Sequence, residues 1–213
     1  MMDISILTSS IEHPVNAYVN KWVEKNKSHQ INIIHSKKEI TSGDILFLIS
    51  CSDVVSKLER NKFKKTLIIH ASDLPNGRGW SPHIWEIING ATDITLSLLE
   101  AEDKVDTGDI WRKISVSIPK TTLFDEINEL IFDAELALMD FAIENYNTIE
   151  PKKQPNIDSA YWPKRSPKDS LIDINKTLAD QFDLIRVCDS KRFPAYFYKD
   201  GVKFNIVIEK NNE

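Results

Sequence analysis

Leu67-Ile68-Ile69-His70-Ala71-Ser72-Asp73-Leu74-Pro75-Asn76-Gly77-Arg78-Gly79-Trp80 is the stretch whose reading decides the fold. Three apolar residues form a short strand that runs into a histidine, and a loop broken by Pro and Gly follows. Pro82 to Asn89 then reads as a short helix and Ile94 to Leu99 as the next strand. A polar loop, Glu102-Asp103-Lys104-Val105-Asp106-Thr107-Gly108-Asp109, closes the unit. A histidine at the end of one strand and an aspartate just past the next are placed to meet. In open α/β sheets the crevice beyond the carboxyl ends of the strands is where ligands bind.

Working outward, Asp3 to Thr8, Ile31 to Ile34 and the continuous apolar run Asp44 to Ile49 read as strands, the last one buried on both faces. Pro14 to Lys25 reads as a helix with Val15, Tyr18, Val19, Trp22 and Val23 on one side, and Val54 to Leu58 as a brief helix. Ile110 to Ile118 alternates like a strand with one exposed side. Thr122 to Asn145 is the strongest helix, with Leu123, Ile127, Leu130, Ile131, Ala134, Leu138, Phe141 and Ala142 in one stripe and Thr122 and Asp125 as an N-cap pair. The alternation predicts an α/β fold, a mostly parallel sheet with helices on both faces. From Glu150 to Asp169 four prolines break regular structure, so this span reads as a linker arm. A short helix near Asn175 to Val187 and a hairpin turning at Asp200-Gly201 complete the chain. The division expected is residues 1–150 as one domain and residues 151–213 as an arm, helix and hairpin.

The 213 residues suit one α/β domain with a modest appendage. A net charge of -5 disfavours a generic nucleic-acid or anionic-membrane binder, though a local basic patch can still grip a phosphate. The two cysteines, Cys51 and Cys188, stand apart in apolar contexts and read as buried thiols in a reducing compartment. The first residues read as a strand rather than a signal peptide, and no apolar run is long enough to span a bilayer. A cytoplasmic location is expected.

A neutral imidazole at position 70 can hydrogen-bond a reacting oxygen or accept a proton near pH 7. Asp106 is its natural partner, because a carboxylate beside the ring fixes its tautomer and stabilises its protonated form. The plainer reading is a histidine that merely caps a strand. Gly108 permits a close backbone approach, as a bound ring system would need, and Asp109 bonds turn amides on the plainer view. Arg78, framed by Gly77 and Gly79, suits a phosphate or carboxylate, or else bonds loop carbonyls. Trp80 is a candidate stacking surface; Trp85 reads as core and His83 as structural.

The ordered set His70-Ala71-Ser72-Asp73-Leu74-Pro75, Gly79, Pro82, Trp85, Ile88-Asn89-Gly90, Thr95 and Val105-Asp106-Thr107-Gly108-Asp109-Ile110 resembles the formyltransferase family. That family includes methionyl-tRNA, glycinamide ribonucleotide and sugar N-formyltransferases. Tyr161-Trp162-Pro163-Lys164-Arg165 and the closing hairpin are similar to the region beyond the catalytic domain in the sugar and methionyl-tRNA members. The resemblance implies a Rossmann-like fold and transfer of a formyl group from 10-formyltetrahydrofolate to a primary amine, with no metal. It makes His70 and Asp106 the catalytic pair and gives Glu102, Asp103, Lys104, Val105 and Asp106 the pterin ring to hold. The family places an oxyanion-binding asparagine two residues before the histidine, where this chain has Ile68. The resemblance therefore leaves Ser72, Asn76 or a backbone amide to replace that donor.

The tail from Ser170 to Glu213 lacks the basic character and size of a tRNA-binding domain, which points away from methionyl-tRNA. The wording of the His70 segment is most similar to short bacterial N-formyltransferases of the pseudaminic-acid type. On that resemblance the acceptor is a UDP- or dTDP-linked amino sugar, and Arg78, Trp80, Trp162 and Arg165 are candidates to contact it. A homodimer through the sheet edge or hairpin is a further expectation. Formyl-folate hydrolysis, a methionyl-tRNA formyltransferase-like enzyme, and a non-catalytic folate or nucleotide-sugar binding module remain as alternatives.

Overall fold

The structure, a computed structural model, describes residues 1–157 and 159–211; positions 158, 212 and 213, within the expected extension, lie outside the described residues. In chain order it contains β1 (Asp3–Leu7), α1 (Val15–Lys25), β2 (Gln30–Ile34), β3 (Gly43–Leu48), α2 (Lys57–Arg60), β4 (Phe63–His70), β5 (Arg78–Gly79), α3 (Pro82–Ile88), β6 (Asp93–Glu100), β7 (Ile110–Ser117), α4 (Phe124–Glu144), β8 (Tyr161–Trp162), α5 (Leu178–Arg186), β9 (Ala195–Lys199) and β10 (Val202–Ile206). The main sheet has the order β2-β1-β3-β4-β6-β7. The pairs among β2, β1, β3 and β4 are parallel, as the alternation of strand and helix predicts. β6 runs antiparallel to β4, and β7 antiparallel to β6. This α/β architecture is the fold class expected from the sequence.

The long helices share one face. Ile4, Ile6, Ile45, Phe47, Leu67 and Ile69 from the strands pack there against Val19 and Trp22 of α1, Ile84 and Ile87 of α3, and Ile131 and Leu138 of α4. Trp22 also donates its indole N–H to Asp140 of α4 at 2.6 Å, so the two helices are joined by a polar bond as well as by apolar burial. The other face has a smaller apolar layer of Leu7, Ile34, Ile40, Leu46, Leu48, Val55 and Phe63. Among the described residues, the two crossovers that supply Ile40 and Val55 to this layer carry a 3-10 turn at Lys37–Glu39 and α2. The expectation of helices on both faces is thus met by long helices on one side and single turns on the other.

Two local readings are corrected. The brief helix expected at Val54 to Leu58 lies instead at Lys57–Arg60, where Ser56 and Glu59 form a reciprocal capping box. At the start of α4 the reach-back comes from Glu126, whose carboxylate accepts the Leu123 N–H at 2.7 Å, while the Thr122 hydroxyl donates to the Pro119 carbonyl. The helix starts one residue later than the Thr122–Asp125 pairing requires. At the hairpin, Asp200 and Gly201 both have positive φ, as a type I′ turn needs.

Glu135 of α4 is buried with Oε2 unpaired among the described residues. Burial pushes its carboxyl up to about 8, so the folded chain carries it neutral at pH 7. The folded state holds this proton where the unfolded chain has lost it. Glu135 therefore destabilises the fold progressively as pH rises from about 4.5, its ordinary value, to about 8. Chemical denaturation across that range is expected to show wild type losing stability relative to Glu135→Gln, with the difference constant outside the window.

Candidate active site

His70 ends β4 and faces the layer shared with Ile68, since residues two apart point to one side of a strand. It is only 8% exposed. Its Nε2 lies 2.9 Å from the carbonyl of Gly77, and a carbonyl can only accept, so Nε2 carries a proton in that bond. Nδ1 lies 3.6 Å from Oδ1 of Asp106, within ion-pair range but beyond a hydrogen bond. Both ring nitrogens thus face acceptors. Asp106 is 5% exposed, and its second oxygen accepts the Gly79 N–H at 3.0 Å.

The two residues meet by a different route from the one the sequence suggests. Because β6 is antiparallel to β4, Glu100 at its end lies beside Leu67, while His70 lies beside Ser97. Three residues of strand, or ~10 Å, separate that end from the histidine. The loop after Glu100 must therefore double back to deliver Asp106. Gly108 makes the reversal possible: a Cβ there would lie 1.8 Å from the Glu100 carbonyl oxygen. The close approach expected at Gly108 is made to the chain's own backbone rather than to a ligand. Asp106 completes the turn with φ +56, in the left-handed region that aspartate tolerates better than most residues.

Side chains from two other segments, and one of the loop's own, hold this loop. Arg60 donates to Asp103 at 2.5 Å and to the Val55 carbonyl at 2.8 Å. Gln154 donates to the carbonyls of Asp106 and Gly108 and accepts from Arg78. The Thr107 hydroxyl donates to the Lys104 carbonyl at 2.7 Å. Neither Arg60 nor Gln154 was among the candidates read from the sequence, because each acts through distant backbone groups that no local motif marks.

The Ser72 to Gly77 loop is braced from both sides. Ser72, fully buried, donates its hydroxyl to the Asn76 carbonyl at 2.9 Å, and its own carbonyl accepts from Ser97. Lys113 of β7 bonds Asp73 and the Leu74 carbonyl. Of the side chains expected to replace the missing asparagine, the Ser72 hydroxyl is engaged by the Asn76 carbonyl and Asn76 is exposed. Ile68 packs with the smaller apolar layer. Glu86 of α3 lies against this loop, with Oε1 3.2 Å from where a Cβ on Gly77 would stand, and burial with the charge of Asp73 pushes it up to about 7. Burial, with His70 adding to it, pushes His83 down to about 4, so His83 is neutral at pH 7.

The Pro-broken arm is docked, not free. β8 pairs with β5, Lys152 exchanges two backbone bonds with Ile110, and Trp162 stacks on Trp85 with centroids 5.8 Å apart. Trp85 is accordingly a platform for the arm rather than a core residue, and its indole N–H bonds the Pro163 carbonyl. Trp162, expected to face substrate, is engaged in this stack. Trp80 carries Lys164 over its ring at 4.6 Å. Arg165 is not brought to the site; it bonds the Asp169 carbonyl, Ser170 and Cys188 in the extension. Cys188 is buried as expected, whereas Cys51 is half-buried beside Ser9.

A groove of about 340 Å³ opens between the Asp106 loop and the arm, lined by Arg78, Lys104, Val105, Ile157, Ser159 and Tyr161. Arg78 and Val105 are each one residue from a member of the Gly79–Asp106 bond. A larger depression of about 480 Å³ lies at the other end of the central strands, around Gly43 and Phe63 where β3 and β4 begin, whereas His70 ends β4. Of the loop residues expected to hold a cofactor, Lys104 and Val105 line the nearer groove, Asp103 is paired with Arg60, Asp106 is buried and Glu102 is exposed. Among the described residues, no three His, Cys, Asp or Glu side chains are grouped as for a metal ion, and no helix is long and apolar enough to cross a membrane.

Residues 7–143 match the family described as formyl transferase. The chain belongs to that family. Methionyl-tRNA formyltransferase of Clostridium acetobutylicum is 29% identical over 177 residues, 82% of this chain but 57% of the relative. The chain thus spans little more than half the length of that relative. Among solved structures, methionyl-tRNA formyltransferase from Clostridium thermocellum superposes with a TM-score of 0.82 at 24% identity, covering 100% of this chain and 96% of that one. Rv3404c from Mycobacterium tuberculosis, described as a likely sugar N-formyltransferase, gives 0.73 at 16% identity with both chains fully covered. At these identities the two superpositions establish the fold.

Gly79 touches both arm and loop, pairing with Trp162 and donating its N–H to Asp106. It has φ +103, and a Cβ would stand 2.3 Å from the Trp162 carbonyl. Gly79→Val is expected to displace the arm while leaving the main sheet folded. Limited proteolysis should then cut between residues 150 and 165, and the fluorescence of the Trp85–Trp162 pair should change; a variant as protease-resistant as wild type would contradict this docking.

Proposed function

We propose that this chain is an N-formyltransferase that moves a formyl group from 10-formyltetrahydrofolate to the amine of a UDP- or dTDP-linked amino sugar in the cytoplasm. The observation that carries the reading is the buried His70–Asp106 pair, 3.6 Å apart, beside a groove that presents Arg78 and Lys104. Two polar atoms of that groove, Nε of Arg78 and Oγ of Ser159, are buried without a partner among the described residues. Unsatisfied donors of this kind fit an anionic ligand with acceptor oxygens. Val105, exposed at the rim, offers an apolar surface to a folate ring.

The folate supplies an activated formyl group. His70 takes up, at the Nδ1 edge it shares with Asp106, the proton released by the attacking amine, and the positive charge the ring then carries offsets the negative charge that develops on the formyl oxygen. Asp106 orients the ring and balances its charge through Nδ1. Arg78 holds the diphosphate, which keeps the amine in line and spares the entropy of a free encounter, while Lys104 and Val105 line the side of the groove given to the folate. Burial excludes bulk water from the pair, so the amine rather than water is the favoured nucleophile.

A second reading, transfer to an aminoacyl-tRNA, is favoured by the name of the Clostridium acetobutylicum relative. The net charge of -5 and the small groove weigh against an acceptor that needs a broad basic face. Purified chain with 10-formyltetrahydrofolate and panels of UDP- and dTDP-amino sugars or methionyl-tRNA separates the two. Formate released without an acceptor would identify a hydrolase, and folate binding with no product from any amine a binding module.

With a sugar acceptor, His70→Ala is expected to lower kcat by about 10²–10⁴-fold. Arg78→Ala should raise the acceptor KM by about tenfold or more with little change in the donor KM, and Lys104→Ala should raise the donor KM instead. Ile68→Asn, which introduces an amide on the face of β4 that carries His70, is expected to raise kcat. A fall in kcat with the fold intact would show that the chain stabilises the oxyanion by another route.

A further inference from the structure

Gln154 stands in the Pro-broken arm, far in sequence from both loops of the site, and every bond of its amide is directed at them. Nε2 donates to the Asp106 carbonyl at 3.0 Å and to the Gly108 carbonyl at 2.8 Å. Oε1 accepts from Nη2 of Arg78 at 3.1 Å. The partners fix the orientation of the amide, since carbonyls only accept and a guanidinium only donates. Glutamate would set its oxygens against the two carbonyls, and asparagine is one methylene too short to span them. A lysine would repel Arg78.

The bond to the Asp106 carbonyl fixes the plane of the peptide that follows Asp106. Together with the positive φ of that residue, it sets the direction of its Cβ and so of the carboxylate that faces His70. The same amide holds the guanidinium of Arg78 at the wall of the groove. We infer that Gln154 is a positioning residue for formyl transfer, aligning Asp106 with His70 and Arg78 with the acceptor's anionic group. This inference rests on the reading of His70 and Asp106 as the catalytic pair. Docking of the arm and assembly of the site are then one event: without the arm, the doubled-back loop loses the group that orients its acid.

The test uses the full chain as Gln154→Ala, Gln154→Glu and Gln154→Asn. Two readouts are needed: steady-state formyl transfer, and the imidazole nitrogen resonances of His70 in ¹⁵N-histidine-labelled protein without acceptor. Gln154→Ala is expected to lower kcat by about 10²-fold, the scale of a misplacement of about 1 Å. The donor KM should stay within about threefold, because the interaction acts on alignment rather than on folate binding. Gln154→Glu should lose at least as much, and Gln154→Asn should not rescue. In folded Gln154→Ala and Gln154→Glu the Nδ1 resonance should move towards its position in Asp106→Asn. A wild-type resonance in both overturns the inference, whatever happens to kcat. If wild type formylates no amine, a moved resonance upholds the alignment and only the assigned reaction fails.

Discussion

The reversal of β6 against β4 is the constraint on which the site depends. It sets the end of β6 one strand-width from Leu67 rather than from His70, so the acid cannot arrive simply by continuing the strand. The loop must return along the sheet, and a returning loop has to be held. Fixing backbone costs ~1–2 kcal/mol per residue, whereas a net hydrogen bond contributes ~0.5–1.5 kcal/mol. A loop of this kind therefore needs about one anchor for each residue it orders. The anchors are spread accordingly: the Glu100 N–H bonds the Asp109 carbonyl, Ala101 bonds Thr66, Arg60 holds Asp103, Thr107 holds Lys104, and Gln154 holds Asp106 and Gly108. Arg60 comes from the side of the smaller apolar layer and Gln154 from the arm, so the loop is gripped from two segments at once.

The arm gains order in the same way, by backbone pairing rather than by burying a core of its own. Its prolines break any long helix, yet short extended pieces can still pair. Lys152 bridges Ile110, Tyr161–Trp162 pairs with Arg78–Gly79, and the indole of Trp162 lies flat on Trp85. The extension beyond has its own small cluster of Ile172, Ile185, Cys188 and Ala195. Buried Arg186 ties it to the main domain through the carbonyls of Pro119 and Thr122. The result is that Ile157, Ser159 and Tyr161 of the arm wall a groove whose other side presents Arg78 and Lys104, on a chain of net negative charge.

Much of this was legible in the residues. Apolar periodicity located the main strands and the long helices, and Asp200-Gly201 named its turn, because these features are decided within a few residues of one another. The convergence of His70 and Asp106 was legible too, but for an incomplete reason: strand direction depends on pairing partners far away, and nothing within Ile94 to Leu99 distinguishes a parallel strand from an antiparallel one. Trp85 illustrates the limit from another side. Its size and helical spacing suggest core, yet its ring faces the arm, and only the position of Trp162 reveals that. Gln154 lies in a stretch whose prolines mark irregular backbone, and irregular backbone gives no period from which a side chain's direction follows.

Ile68 alters how the proposed chemistry is shared. An isoleucine two residues before the histidine places apolar surface on the face of β4 where an amide would otherwise donate. The hydroxyl of Ser72 is already given to Asn76, and Lys113 is given to Asp73 and Leu74. Charge developing near this face meets fewer side-chain dipoles, and more of the stabilisation falls on the imidazole. An imidazole stabilises an oxyanion in proportion to how firmly its own positive charge is held, which makes the carboxylate behind it decisive. On the formyl-transfer reading, the replacement of asparagine by isoleucine thus moves the burden from the strand to the doubled-back loop. On that reading the buried arginine on one side of the loop and the three-bond glutamine on the other brace the group that carries the burden.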